Sequence, residues 1–186
     1  MNLFTFAALL KINSMKNRLG LLISFLCLST FGLYAQNPCS SEAYQQFNFW
    51  VGEWEVYHAT ADTIVGHNKI ERILNGCVIQ ENWTGATGFT GKSLNTYNII
   101  DSTWNQIWVD VSGATYHFKG KLEGTTILMQ GQTNNPSGQL ILFEMSYTPN
   151  KTNGNVRQIW KQSSDEGENW TVVFDGIYKR KMIKND

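Results

Sequence analysis

The sequence predicts an all-β domain: an antiparallel up-and-down barrel of about ten strands, with a short N-terminal helix over one end. Three observations lead there. From Gly52 onward, short runs rich in aromatic and β-branched residues follow one another. Glycine, asparagine and serine turn signals divide those runs. The connections are of hairpin length, without the long crossover a sandwich needs, and closure removes the edges an open meander would expose.

The N-terminus is set apart from this domain. Lys16 and Arg18 precede an apolar run over 19–33 that ends in Leu33-Tyr34-Ala35-Gln36. A basic start, a short apolar core and a small residue at the cut describe a secretory signal peptide, with Met15 as its natural start. Gly20, Ser24, Ser29, Thr30 and Gly32 interrupt the run, which is too weak to serve as a membrane span. Ser24-Phe25-Leu26-Cys27 lacks the small residue a lipidated cysteine requires. Cutting 35 residues from 186 leaves 151 (36–186), enough for one domain with a real core. Losing Lys11, Lys16 and Arg18 leaves 12 basic against 15 acidic residues, a net charge of −3. Only Lys179-Arg180-Lys181 clusters positive charge, so no nucleic-acid partner is expected. The expected location is therefore periplasmic or extracellular. In such an oxidising compartment, Cys39 and Cys77, the two cysteines left after cleavage, are expected to pair.

Residues 40–50 read as the helix, with Ser40 or Ser41 as cap and Tyr44, Phe47, Phe49 and Trp50 as its apolar side. The strands are placed at 53–58, 66–74, 78–84, 92–100, 106–111, 115–122, 126–132, 139–148, 156–162 and 171–180. Ten strands make a wider barrel than eight and leave a cavity unless large side chains fill it. The helix is expected to cap one mouth, tied through Cys39 to Cys77. Ser163-Ser164-Asp165-Glu166-Gly167-Glu168-Asn169-Trp170 fits the Asp-box pattern Ser-x-Asp-x-Gly-x-x-Trp, read as a hairpin staple and not a sugar site.

Metal and catalytic motifs are lacking. His58, His67 and His117 have no metal-like spacing, and neither H-x-x-x-H nor C-x-x-C occurs. No phosphate loop or G-x-S-x-G elbow is present. Three sequons, at Asn82, Asn150 and Asn169, bear only on a eukaryotic source. What stands out is polar residues alternating with aromatics: Glu81 with Trp83, Asn95 with Tyr97, Gln106 with Trp108 and Asp110, Gln158 with Trp160. The opposite face of the fifth strand, Ile107, Val109 and Val111, is apolar. Apolar bulk with a few fixed polar groups describes a pocket wall. The competing reading turns Ile107, Val109 and Val111 inward and leaves the tryptophans outside. The candidate ligand-binding set is Glu81, Trp83, Asn95, Tyr97, Gln106, Trp108, Gln158 and Trp160. Glu81 or Asp110 would serve acid–base chemistry, but spacing supplies neither with a partner.

Phe47-Asn48-Phe49-Trp50-Val51-Gly52-Glu53-Trp54-Glu55-Val56 resembles the opening of a group of uncharacterised bacterial exported proteins. Ile70-Glu71-Arg72-Ile73-Leu74-Asn75-Gly76-Cys77, Trp104-Asn105-Gln106-Ile107-Trp108-Val109-Asp110 and Phe174-Asp175-Gly176-Ile177-Tyr178 continue the likeness over nearly the whole mature chain. That domain-of-unknown-function group is similar in fold to lipocalins and fatty-acid-binding proteins, which implies a calycin-like barrel without an assigned ligand. The related haem-binding nitrobindin barrels share Gly52-Glu53-Trp54 but carry an axial histidine late in the chain, where this chain has none after His117. The resemblance therefore implies no haem, and no other cofactor is expected. The expected function is binding of a small, mostly apolar, uncharged molecule. The alternatives are an isomerase- or cyclase-type enzyme acting inside the barrel, and an envelope interaction module with a packed interior.

Overall fold

The computed structural model describes residues 38–181, and the predicted signal segment lies outside them. Ten strands follow a short helical segment: β1 Gly52–His58, β2 Ile64–Ile73, β3 Val78–Gly85, β4 Thr90–Asn98, β5 Thr103–Asp110, β6 Thr115–Glu123, β7 Thr126–Asn134, β8 Leu140–Pro149, β9 Val156–Ser163 and β10 Thr171–Arg180. Each strand pairs antiparallel with its sequence neighbours, and β1 pairs with β10 to close the barrel. The up-and-down barrel predicted from hairpin-length connections is the fold found.

Because strands alternate direction, the two ends of the barrel differ. The hairpins at 74–77, 99–102, 124–125 and 150–155 lie at the end where β1 begins. Those at 59–63, 86–89, 111–114, 135–139 and 164–170 surround the other end.

The N-terminal segment plugs the first of these ends. The sequence predicts one helix over 40–50, but the structure breaks it into α1 (Glu42–Gln45) and a 3₁₀ turn, Asn48–Trp50. The Ser41 hydroxyl makes no cap bond, and only its carbonyl, accepting from Tyr44 N at 3.0 Å, supports the helix start. The tighter 3₁₀ winding puts residues three apart on one side, and Phe47 and Trp50 both turn into the barrel, fully buried. Their rings stack with centroids 4.9 Å apart and meet Tyr147 at 4.9 and 4.7 Å. Arg72 on β2 binds the plug, donating to the Tyr44 carbonyl at 2.6 Å and to Asn48 Oδ1 at 2.6 Å. The Cys39–Cys77 disulfide ties the segment to the β2–β3 connection, as expected.

Gly52 explains why the first strand opens as it does. Its φ is +143°, and a Cβ there would fall on the Arg180 guanidinium. That guanidinium lies 3.9 Å over the Trp54 ring and donates to the Val51 carbonyl at 2.8 Å. Trp54 donates to the Trp50 carbonyl at 2.8 Å. Gly52, Trp54 and Arg180 thus latch β1 to β10 beside the plug.

Inside, the plugged half is packed by Trp54, Val56, Ile70, Ile79, Trp104, Ile127, Met129 and Val156. Burying these side chains, at ~25 cal/mol per Å2 of apolar surface, is the main source of stability. Ile107, Val109 and Val111 sit on the outer surface, 43–67% exposed. The polar-aromatic face therefore looks inward.

Candidate functional site

Above the packed half, eight polar side chains form a closed ring of hydrogen bonds across the interior. Glu81 Oε1 accepts from Asn68 Nδ2 at 2.7 Å, and Asn68 Nδ2 also reaches the Tyr178 hydroxyl at 3.3 Å. Tyr178 donates to Gln158 Oε1. Gln158 Nε2 donates to the Tyr147 hydroxyl at 3.2 Å, and Gln106 Nε2 donates to that same oxygen at 3.0 Å. Gln106 Nε2 continues to Asn95 Oδ1 at 2.8 Å, and Asn95 Nδ2 to Ser93 Oγ at 3.0 Å. Ser93 Oγ closes the ring by donating to Glu81 Oε2 at 2.7 Å. Strands β2, β3, β4, β5, β8, β9 and β10 each contribute. Partnering of this kind is what lets so many polar groups sit inside at tolerable cost.

Between this belt and the open end lies a cavity of about 520 Å3. Glu81, Gln106, Tyr147, Gln158 and Tyr178 form its floor, and Trp83, Trp108, Tyr116, Phe143, Trp160 and Phe174 its walls. Gly85, Thr87, Phe89 and Asp110 stand at the rim. The period-2 alternation of each strand brings every second residue inward, which joins Glu81 to Trp83 on β3, Gln106 to Trp108 on β5 and Gln158 to Trp160 on β9.

Two of the tryptophans lie over glycines of a neighbouring strand. A Cβ on Gly91 would come within 2.3 Å of Trp108 Cζ2, and one on Gly66 within 2.5 Å of Trp83 Cη2. The missing side chains let both indoles settle against the barrel wall. Trp160 is held differently, edge-on to Tyr116, Phe118 and Phe143 at 5.1–5.7 Å.

Six of the eight predicted site residues, Glu81, Trp83, Gln106, Trp108, Gln158 and Trp160, line this one cavity. The other two point inward but sit elsewhere. Asn95 is fully buried in the belt. Tyr97 lies at the plugged end, edge-on to Tyr44 and Trp104 at 5.3 and 5.6 Å. Alternation within a strand reports the face, not the height along the barrel axis, and Tyr97 is one step too far toward the plug. Sequence reasoning missed Asn68, Ser93, Tyr147 and Tyr178. Tyr147 follows Phe143 and Met145 at alternate positions, and Tyr178 follows Phe174, so nothing marked their hydroxyls. Ser93 could have been found, two residues before Asn95 on the same face.

No family model and no curated protein sequence matches this chain.

Among the described residues, Glu81 is the floor's one carboxylate, and no lysine, arginine or histidine lines the cavity. Burial pushes its carboxyl up to about 7, against the opposing pull of the Ser93 and Asn68 hydrogen bonds. Burial, then the nearby Glu81 charge, raises Tyr147 and Tyr178 well above the ordinary phenol range, so both stay protonated. Among the described residues, Asn68 Oδ1, Gln106 Oε1 and Trp160 Nε1 are buried with no hydrogen-bond partner. Asp110, the other carboxylate considered for acid–base chemistry, accepts instead from Ser112 N and Oγ in its own turn. Arg157 points outward and pairs with Asp175 through two bonds of 2.7 and 2.9 Å.

Proposed function

We propose that this barrel is an exported, lipocalin-like carrier that binds a small, mostly apolar, uncharged molecule in its cavity. The observation that carries this reading is the cavity of about 520 Å3, walled by tryptophans above a floor of fixed polar groups. Apolar contact with Trp83, Trp108, Trp160 and Phe174 supplies most of the affinity, and Gln106 and Gln158 fix orientation. An anionic ligand is disfavoured because Glu81 faces the cavity and Arg157 does not. A cavity of this size also weighs against a packed interaction module. The resemblance to exported calycin-like proteins and the disulfide support export.

Native mass spectrometry of the exported protein, followed by a ligand screen read by tryptophan fluorescence, tests the proposal. We expect a co-purifying small molecule whose quenching signal is lost in Trp108→Ala. Its affinity should fall roughly five- to tenfold in Gln106→Ala, the effect of about one hydrogen bond. A protein that carries nothing and is quenched by nothing would reject the carrier reading. N-terminal sequencing of the same preparation should begin at Gln36, and a product retaining residues 19–33 would reject secretion.

One observation favours an enzyme as the second reading. A cavity-facing carboxylate titrating near neutrality is suited to proton transfer. Against it, the neighbouring hydroxyls are committed, Tyr178 to Gln158 and Tyr147 to Met145 Sδ, which leaves Trp160 Nε1 as the free donor for a developing negative charge. Turnover of a bound ligand that stops in Glu81→Gln would favour the enzyme over the carrier.

A further inference from the structure

The ring of hydrogen bonds closes, but it leaves Glu81, a carboxyl that lines the cavity, without a charge partner among the described residues. Both neighbours of the Glu81 carboxyl donate to it: Asn68 Nδ2 to Oε1 and Ser93 Oγ to Oε2. If Glu81 is ionised, it is a buried charge with no cation beside it among the described residues. If it is protonated, its proton finds an acceptor in the belt only when the Ser93 hydroxyl or the Asn68 amide, both of which donate to Glu81, turns round to accept. A nitrogen lone pair satisfies both states, because it accepts the proton from the acid or, having taken it, becomes the missing cation. Two further loose ends line the same space, the acceptor Gln106 Oε1 and the donor Trp160 Nε1. The walls are indole and phenyl faces, which favour a flat aromatic body and attract partial positive charge.

We infer that the ligand is a weak nitrogen base, an N-heteroaromatic or aryl amine, whose nitrogen shares a proton with Glu81 while its rings lie against the tryptophan walls. This rests on the carrier reading and specifies its ligand. Ligand and Glu81 together are uncharged, so the pair enters the barrel interior without a net buried charge. An N–H elsewhere on the ligand meets Gln106 Oε1, and a second acceptor meets Trp160 Nε1.

The test compares ligands of one shape that differ by a single ring atom. Benzimidazole and 2-phenylbenzimidazole carry the basic nitrogen, whereas indole and 2-phenylindole replace it with CH. Affinities are measured by tryptophan fluorescence and calorimetry at neutral pH. The wild type should prefer the benzimidazoles at least tenfold, and Glu81→Gln should abolish the preference. The ionisable groups facing Glu81 are Tyr147 and Tyr178, which stay protonated, so the shared proton comes from Glu81 or the ligand. Benzimidazole affinity should therefore fall toward tenfold per unit as pH rises above about 7, while indole affinity stays flat. Equal affinities, or a preference for the indoles, in the wild type would overturn the nitrogen-base assignment and leave the carrier reading standing. Binding by neither pair would overturn both. If Glu81→Gln does not fold, the wild-type ratio and its pH dependence decide the question alone.

Discussion

Glu81 illustrates how a single side chain can carry functional meaning at a cost in stability. Folded Glu81 holds its proton up to about pH 7, whereas an unperturbed carboxyl releases it near 4.5. Its contribution is therefore most favourable below pH 4.5, declines as pH rises toward 7 and is level above that. The decline is on the order of 3 kcal/mol. Urea unfolding of wild type and Glu81→Gln across pH 4.5 to 8 should show this slope in the wild type and not in the variant. A parallel pair of curves would mean that the carboxyl is not perturbed. Gly91 is the second position where one atom decides the site. Gly91→Ala would push its Cβ into Trp108, costing about 1–3 kcal/mol in thermal or urea unfolding and shifting tryptophan emission. What the sequence revealed at this scale was the alternation of Glu81 with Trp83, Gln106 with Trp108 and Gln158 with Trp160. It did not reveal that Tyr147 would face Gln158 across the β8–β9 hairpin and also meet Gln106, because the second contact joins β5 to β8 across the interior of the closed barrel.

At the scale of elements, two devices hold segments in place. The disulfide joins the plug to β2–β3 across 38 residues. Cys77→Ser should lower stability by roughly 2–4 kcal/mol under oxidising conditions and add almost nothing once the wild type is reduced. Equal stability of variant and oxidised wild type would show the bridge to be idle. The Asp box closes the β9–β10 hairpin: Gly167 N donates to Ser163 Oγ at 3.0 Å, Asn169 N to Asp165 Oδ1 at 2.9 Å, and Trp170 Nε1 to the Gly167 carbonyl at 3.0 Å. The Ser163 hydroxyl, with Asn169, holds the Asp165 carboxyl down at about 2. Asp165→Ala should raise amide hydrogen exchange through 163–170 and leave the cavity's fluorescence response intact. An unchanged exchange profile would show that the turn residues alone shape the hairpin. This motif was legible because its bonds are local. The helix was not, because Phe47 and Trp50 follow the shape of the barrel end, which no local pattern encodes.

For the whole molecule, the number and order of strands were legible from turn signals, and their closure followed from the cost of leaving two edges bare. Closure depends on one pairing, between β1 and β10, whose partners include Trp54 with Arg180 and Val56 with Tyr178. Removing residues 171–181 should therefore abolish cooperative unfolding and near-ultraviolet circular dichroism altogether. A truncated chain that still unfolds in one sharp transition would show that nine strands suffice. All other pairings are hairpins that can form as soon as their two strands exist. The latch built around Gly52 is thus also a matter of timing. Its first half leaves the ribosome early, and its second half follows about 130 residues later, roughly ten seconds at ordinary rates of synthesis. Until then the nascent chain presents an unmated strand carrying Trp54 and Val56, open to any chaperone or neighbouring chain that pairs with it first.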